Sequence, residues 1–184
     1  MPILDEERSI YPDDLLDGLT DEDVDRDWWV LHTKPRQEKS VSRDLFALDI
    51  PFYLPLIKKT STRRDRTVQS YIPLFASYVF MFASEEERIR CLKTNRVTQT
   101  LTIEDAEEFV HDLRQLRELI ESEAPLTVES RLVPGDKVRV LNGSFAGLEG
   151  TVLNRRGKMR LLVAVNFLQQ GASVEIDDYM LEPI

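Results

Sequence analysis

Cysteine is nearly absent from this sequence: Cys91 stands alone in 184 residues, which excludes an intramolecular disulfide and fits a reducing cytoplasm. Histidine is scarce too, and His32 and His111 lie too far apart to form a metal-ligand spacing with that one cysteine. No apolar run approaches the roughly 20 residues that span a bilayer. The acidic N-terminus lacks the basic and apolar regions of a secretory signal. No nucleophile–base spacing suggests catalysis, and no Lys-Ser/Thr pair follows the glycines as a phosphate loop requires. These absences set the expectation of a non-enzymatic protein with no cofactor, no metal and no membrane association, cytoplasmic and monomeric.

What is present is a globular composition, 42% hydrophobic and 31% charged, in a length that allows one ordinary domain or two small ones. The net charge of −9 is unevenly placed. Residues 1–27 hold eleven acids against Arg8 and Arg26, so the remainder balances 22 acidic against 22 basic residues. Such a segment buries too little apolar area to offset its ordering entropy, and residues 1–26 are read as a disordered acidic tail. The tail either solubilises the chain or covers a basic surface.

Trp28-Trp29-Val30-Leu31 reads as a buried strand. Pro35 marks a helix start whose apolar face is Val41, Leu45 and Leu48. Phe52–Ile57 is the next strand, with Pro55 placing it at an edge or bulge. Lys58, Lys59, Arg63, Arg64 and Arg66, against Asp65 alone, form a basic hairpin tip or loop. Pro73–Phe82 is the strongest strand signal. Ser84 and Glu87 spell a capping box, with Ile89 and Leu92 as the apolar side of the helix that follows. A strand at Val97–Ile103 precedes an amphipathic helix from Glu104 to Ser122. The fold class is therefore α+β, with a first domain over 27–124 built as a sandwich of sheet and flanking helices. Residues 125–133 read as a linker. Residues 134–184 carry only short strands between turns, at Lys137–Leu141, Glu149–Leu153, Arg160–Val165 and Ser173–Ile176, and read as a small β-barrel.

The stretch Gly135–Val152, with its Asn142-Gly143 turn and Phe145 between glycines, resembles the KOW motif, an SH3-like barrel module. Trp28-Trp29-Val30-Leu31-His32-Thr33-Lys34-Pro35-Arg36 resembles the opening of a NusG N-terminal domain. Pro73-Leu74-Phe75-Ala76-Ser77-Tyr78-Val79-Phe80 is similar to that family's central aromatic strand. The resemblance implies a transcription elongation or antitermination factor. Such a factor seats its N-terminal domain on the β′ clamp helices of RNA polymerase, suppresses pausing, and offers the barrel to a small-subunit ribosomal protein or to Rho. It implies a polymerase pocket at His32, Tyr78 and Phe80 with Phe75 nearby, and a barrel contact at Phe145, Phe167 and Leu168. Ala76-Ser77 replaces the family's usual Pro-Gly, and Thr33-Lys34-Pro35-Arg36 is closer to the specialised RfaH-like paralogues.

Each feature also has a plainer reading. Tyr78 and Phe80 are either sheet-core aromatics or one exposed apolar patch, which would call for a partner. Lys34, Arg36, Lys58, Lys59, Arg63, Arg64, Arg66 and Arg96 are either solvated surface or a contact to upstream or non-template DNA. A KOW protein that binds RNA or ribosomes without a polymerase role is the alternative function. His111 reads as solvated, and Cys91 as a small buried apolar residue.

Overall fold

The computed structural model describes residues 7–18, 25–176 and 180–184, which form two compact units, Met1–Glu104 and Asp105–Ile184. The first contains β1 (Ile10–Tyr11), β2 (Asp27–Thr33), α1 (Glu38–Ala47), β3 (Phe52–Tyr53), β4 (Leu56–Arg63), β5 (Arg66–Pro73), β6 (Tyr78–Ala83), α2 (Glu85–Leu92) and β7 (Val97–Thr102). The second contains α3 (Ala106–Glu121), β8 (Thr127–Glu129), β9 (Lys137–Val140), β10 (Glu149–Arg155), β11 (Lys158–Val165), β12 (Gln170–Glu175) and β13 (Leu181–Pro183).

In the first unit an antiparallel sheet runs β1-β3-β6-β2-β7. β6 lies inside it, as its unbroken apolar run requires, and pairs with β2 through Val30↔Phe80 and His32↔Tyr78. Alternation along these strands places Leu31, Val79 and Met81 in one cluster with Val41 and Leu45 of α1, all fully buried. The Ser84–Glu87 capping box forms with both of its hydrogen bonds. α1 begins at Glu38, three residues later than the proline signal indicates, because Arg36 takes a φ of 62°. On α2 the buried residue is Cys91, while Ile89 is exposed, so the apolar face is rotated from the expected one.

The expectation of a disordered acidic tail is corrected over its described part. Ile10 and Tyr11 pair with Tyr53 and Phe52 at the edge of the sheet, and Leu15 and Leu16 are buried. The Tyr11 ring meets Phe46 edge-on at 5.0 Å, and its hydroxyl donates to Asp49. Charge density outweighs these few apolar residues in the sequence pattern, yet they suffice to anchor a short segment against a preformed sheet. The rest of that expectation, over residues 1–6 and 19–24, lies outside the described residues.

The second unit holds a six-stranded antiparallel sheet, β13-β9-β10-β11-β12-β8. Each of the four expected strands forms. Two more appear at β8 and β13, the former inside the stretch read as a linker. Val138, Val140, Leu161, Val163, Val165, Ala172 and Val174 are buried and share one face. Gly150 is required by packing, since a Cβ there would sit 2.4 Å from the carbonyl oxygen of Leu162. α3 lies against this sheet. Asp112 accepts the backbone N–H of Asn166 at 2.9 Å, Gln115 that of Glu149 at 2.8 Å, and Phe109 meets Phe167 edge-on at 6.3 Å.

Candidate functional site

β2 and β6 are neighbours in antiparallel register, so His32 and Tyr78 stand directly opposite each other. Their rings contact at 5.2 Å with an interplanar angle of 64°, and both residues are half-buried. Thr98 fixes the imidazole. Its hydroxyl donates to the His32 carbonyl at 2.9 Å, so the 2.7 Å contact with Nδ1 places the ring proton on that nitrogen. In the neutral ring Nε2 is then the acceptor.

Phe80 lies two residues along β6 from Tyr78, on the same face of the sheet, with Phe75 against it. The two rings meet at 6.0 Å, Tyr53 adds a further ring at 6.4 Å from Phe80, and both phenylalanines are essentially inaccessible. The expectation that Tyr78 and Phe80 share an exposed face is therefore corrected. Phe80 is fully buried and packs with Phe75 and Tyr53, and the accessible part of the patch is His32 with Tyr78.

The loop before β6 bends at Ser77, whose φ is 66°. This is the place where the sequence lacks the expected Pro-Gly. Glu38, a buried carboxylate at the start of α1, accepts the Ser77 N–H at 2.7 Å, and the Ser77 carbonyl accepts the N–H of Thr33 at 2.8 Å. Sequence reasoning missed Glu38. Its role shows only through a contact 39 residues away in the chain.

The basic residues divide into two kinds. Lys58, Lys59, Arg63, Arg64 and Arg66 are all exposed on the hairpin of β4 and β5, and none has an ion-pair partner among the described residues. Arg64 and Asp65 take φ of 47° and 62°, the geometry of a two-residue hairpin turn. Lys34 and Arg36 are exposed, with the Lys34 ammonium 3.3 Å from Asn95 Oδ1. Arg96, by contrast, is held internally by Asp44 at 2.8 Å and Gln37 at 2.7 Å.

In the second unit Phe145 is buried, which corrects its expected place in the exposed barrel contact, while Phe167 is exposed and Leu168 half-buried. His111 pairs with Glu149 at 3.3 Å rather than standing free in solvent. Among the described residues no group of three or more His, Cys, Asp or Glu could hold a metal ion, and no helix is long and apolar enough to cross a membrane.

The family described as "Transcription termination factor nusG" matches residues 26–133, a span that ends before β9. A solved structure described as "Domain interaction in Thermotoga maritima NusG" is 16% identical, covering 88% of this chain and 99% of that chain with a TM-score of 0.44. No curated protein matches the chain.

Proposed function

Since the chain belongs to the NusG family of non-enzymatic transcription factors, we propose that it is an elongation factor that seats its first unit on the β′ clamp helices of RNA polymerase. His32 and Tyr78 make the contact, and Phe75 and Phe80 complete the pocket as its buried aromatic part. Bound there, the factor suppresses pausing or termination and recruits a small-subunit ribosomal protein or Rho through Phe167 and Leu168, with Phe145 buried in the same unit. Lys34, Arg36, Lys58, Lys59, Arg63, Arg64 and Arg66 face upstream or non-template DNA, and Arg96 braces the Lys34 loop. The factor works in the cytoplasm as a monomer.

The observation that carries this reading is the accessible His32–Tyr78 ring pair, next along the sheet face to buried aromatics. A histidine and a tyrosine present apolar ring and polar tip together, as a helical coiled coil with mixed side chains would need. The test is binding of core polymerase to the full chain and to a His32→Ala/Tyr78→Ala double variant. Both side chains are partly exposed, so the variant retains the sheet. Binding should weaken at least tenfold, roughly the 1.4 kcal/mol or more expected of an aromatic contact pair. Undiminished binding would remove the assignment.

The specialised, RfaH-like role is part of the proposal and draws on Ala76-Ser77 and on Thr33-Lys34-Pro35-Arg36. It expects relief of pausing only on templates that carry a particular upstream element. Equal relief on every template would point to a general factor instead.

A further inference from the structure

The hairpin of β10 and β11 ends in Arg155-Arg156-Gly157-Lys158, with Arg160 two residues on. Register pairs Arg155 with Lys158, so Arg156 and Gly157 alone turn the chain, at φ of 53° and 77°. Such a tight turn fixes where the flanking cations point. Arg155, Lys158 and Arg160 lie on one face of the sheet together with Thr127, Glu129, Ser173 and Glu175. There Arg155, Arg156, Lys158 and Arg160 line an open cavity of about 490 Å³ with Thr127 and Glu175.

The polar groups beneath this cavity form a connected, buried scaffold. Glu129 and Ser173 are both buried, and the Ser173 hydroxyl donates to Glu129 at 2.6 Å. Arg155 pairs with the same carboxylate at 2.7 Å. The Arg160 guanidinium donates to Ser173 Oγ at 2.9 Å, to the Ser173 carbonyl at 2.8 Å and to Thr127 Oγ1 at 3.0 Å. Glu175 is shared, 3.0 Å from Lys158 and 3.5 Å from Arg160. Among the described residues two carboxylates therefore face four cations, and Arg156 has no ion-pair partner. In a chain of net charge −9, the described residues here carry a local positive excess built on an ordered network. Stabilising the sheet alone would not need the fourth cation at the exposed tip.

We infer that this hairpin is a second nucleic-acid site, binding the phosphodiester backbone of a single strand. The cations are strung along a hairpin, with Lys158 and Arg160 roughly 7 Å apart on one face. A linear polyanion engages such a series, whereas a compact oxyanion reaches only part of it. Guanidinium forks match phosphate oxygens, and their flat faces accept stacked bases. The choice of nucleic acid over an acidic peptide rests on the transcription role proposed above. The site itself is independent of the clamp-helix contact and of the β4–β5 hairpin.

The test uses the full chain without polymerase, in a background carrying Lys58→Gln, Lys59→Gln, Arg63→Gln, Arg64→Gln and Arg66→Gln, so that the β4–β5 hairpin no longer contributes. Fluorescently labelled oligo(U) RNA and oligo(dT) DNA are the probes, read by anisotropy across a salt series. Adding Arg156→Gln and Lys158→Gln leaves the Glu129–Ser173 scaffold intact. It should weaken binding about tenfold and lower the log–log salt slope by roughly 1.4, the value for two fewer phosphates neutralised on a single strand. RNA preference assigns the site to a transcript, and equal affinity assigns it to any exposed single strand; either result supports the inference. Amide shifts on adding oligonucleotide should concentrate at 127, 155–160 and 173–175. Unchanged affinity and slope, shifts confined elsewhere, or saturation by inorganic phosphate without oligonucleotide binding would each overturn it. Loss of polymerase binding in the clamp variant with oligonucleotide binding retained would keep the two readings distinct.

Discussion

Ser77 holds a left-handed backbone that costs a side-chain-bearing residue roughly 1 kcal/mol relative to glycine. The bend persists because Glu38 and Thr33 bind both of its backbone polar groups. Ser77→Gly should therefore raise the urea midpoint by an amount equivalent to about 1 kcal/mol, since the strain disappears while both hydrogen bonds remain. Glu38→Ala should destabilise the chain by about 1–3 kcal/mol, because it leaves the Ser77 N–H without its acceptor in a partly buried place. Cys91 gives a second check. Burial foremost, with the nearby Asp44 charge adding to it, pushes its thiol from 9.0 up to about 12. The folded chain should resist iodoacetamide at pH 8 and react only when denaturant exposes the side chain. The sign also fixes the alkaline behaviour. Above pH 9 the unfolded chain loses this proton first, so stability falls as pH rises from about 9 toward about 12.

α3 is joined to its sheet by a buried carboxylate, and that join has a definite pH sign. Burial chiefly raises the Asp112 pKa above its ordinary value of 3.8, against the lowering effect of the Asn166 N–H, and Glu108 adds to the rise. Below pH 3.8 both folded and unfolded states are protonated and the cost of burying the charge is absent. As pH rises through the shifted value, the unfolded state ionises more readily and stability is lost. Asp112→Asn keeps an oxygen to accept the Asn166 N–H. It should be at least as stable as the parent at neutral pH, with the difference vanishing in acid, as thermal denaturation at several pH values would show. The β10–β11 pairing is less forgiving. Gly150→Ala would drive a Cβ into a backbone carbonyl at 2.4 Å, and backbone cannot swing aside as a flexible side chain can. A loss of more than about 2 kcal/mol is expected, measurable by denaturant titration. The β4–β5 ladder is a sheet of its own, exposed along nearly its whole length. Replacing residues 58–71 by a short turn should leave the melting temperature nearly unchanged while reducing affinity for DNA.

Across the chain, charge is segregated rather than balanced locally. The acidic N-terminal segment accounts for the net −9, while two hairpins carry exposed cations at tight turns. The DNA affinity proposed above should consequently fall steeply with salt despite the acidic pI. Neutralising the five β4–β5 cations should flatten that dependence, by about 0.9 in log–log slope for each duplex phosphate that is no longer neutralised. Much of this was readable in one dimension. Strand β6, the capping box at Ser84, the basic hairpin and the glycine-turned strands after Gly135 are written in local patterns: periodicity, turn chemistry and caps act over a few residues, so sequence order carries them. Which aromatics remain accessible was not written there, since Tyr78 and Phe80 have the same alternation and differ only in what lies over them. Nor was the ordering of Ile10, Tyr11, Leu15 and Leu16, which depends on a sheet edge that residues 52 and 53 supply. The Glu38 support of Ser77 and the Glu129–Ser173 scaffold under Arg155 and Arg160 join positions 39 and 44 residues apart. Hydrogen bonds of that kind exist only once distant strands and helices are packed together, because burial is what makes an unpaired polar group costly and so selects its partner.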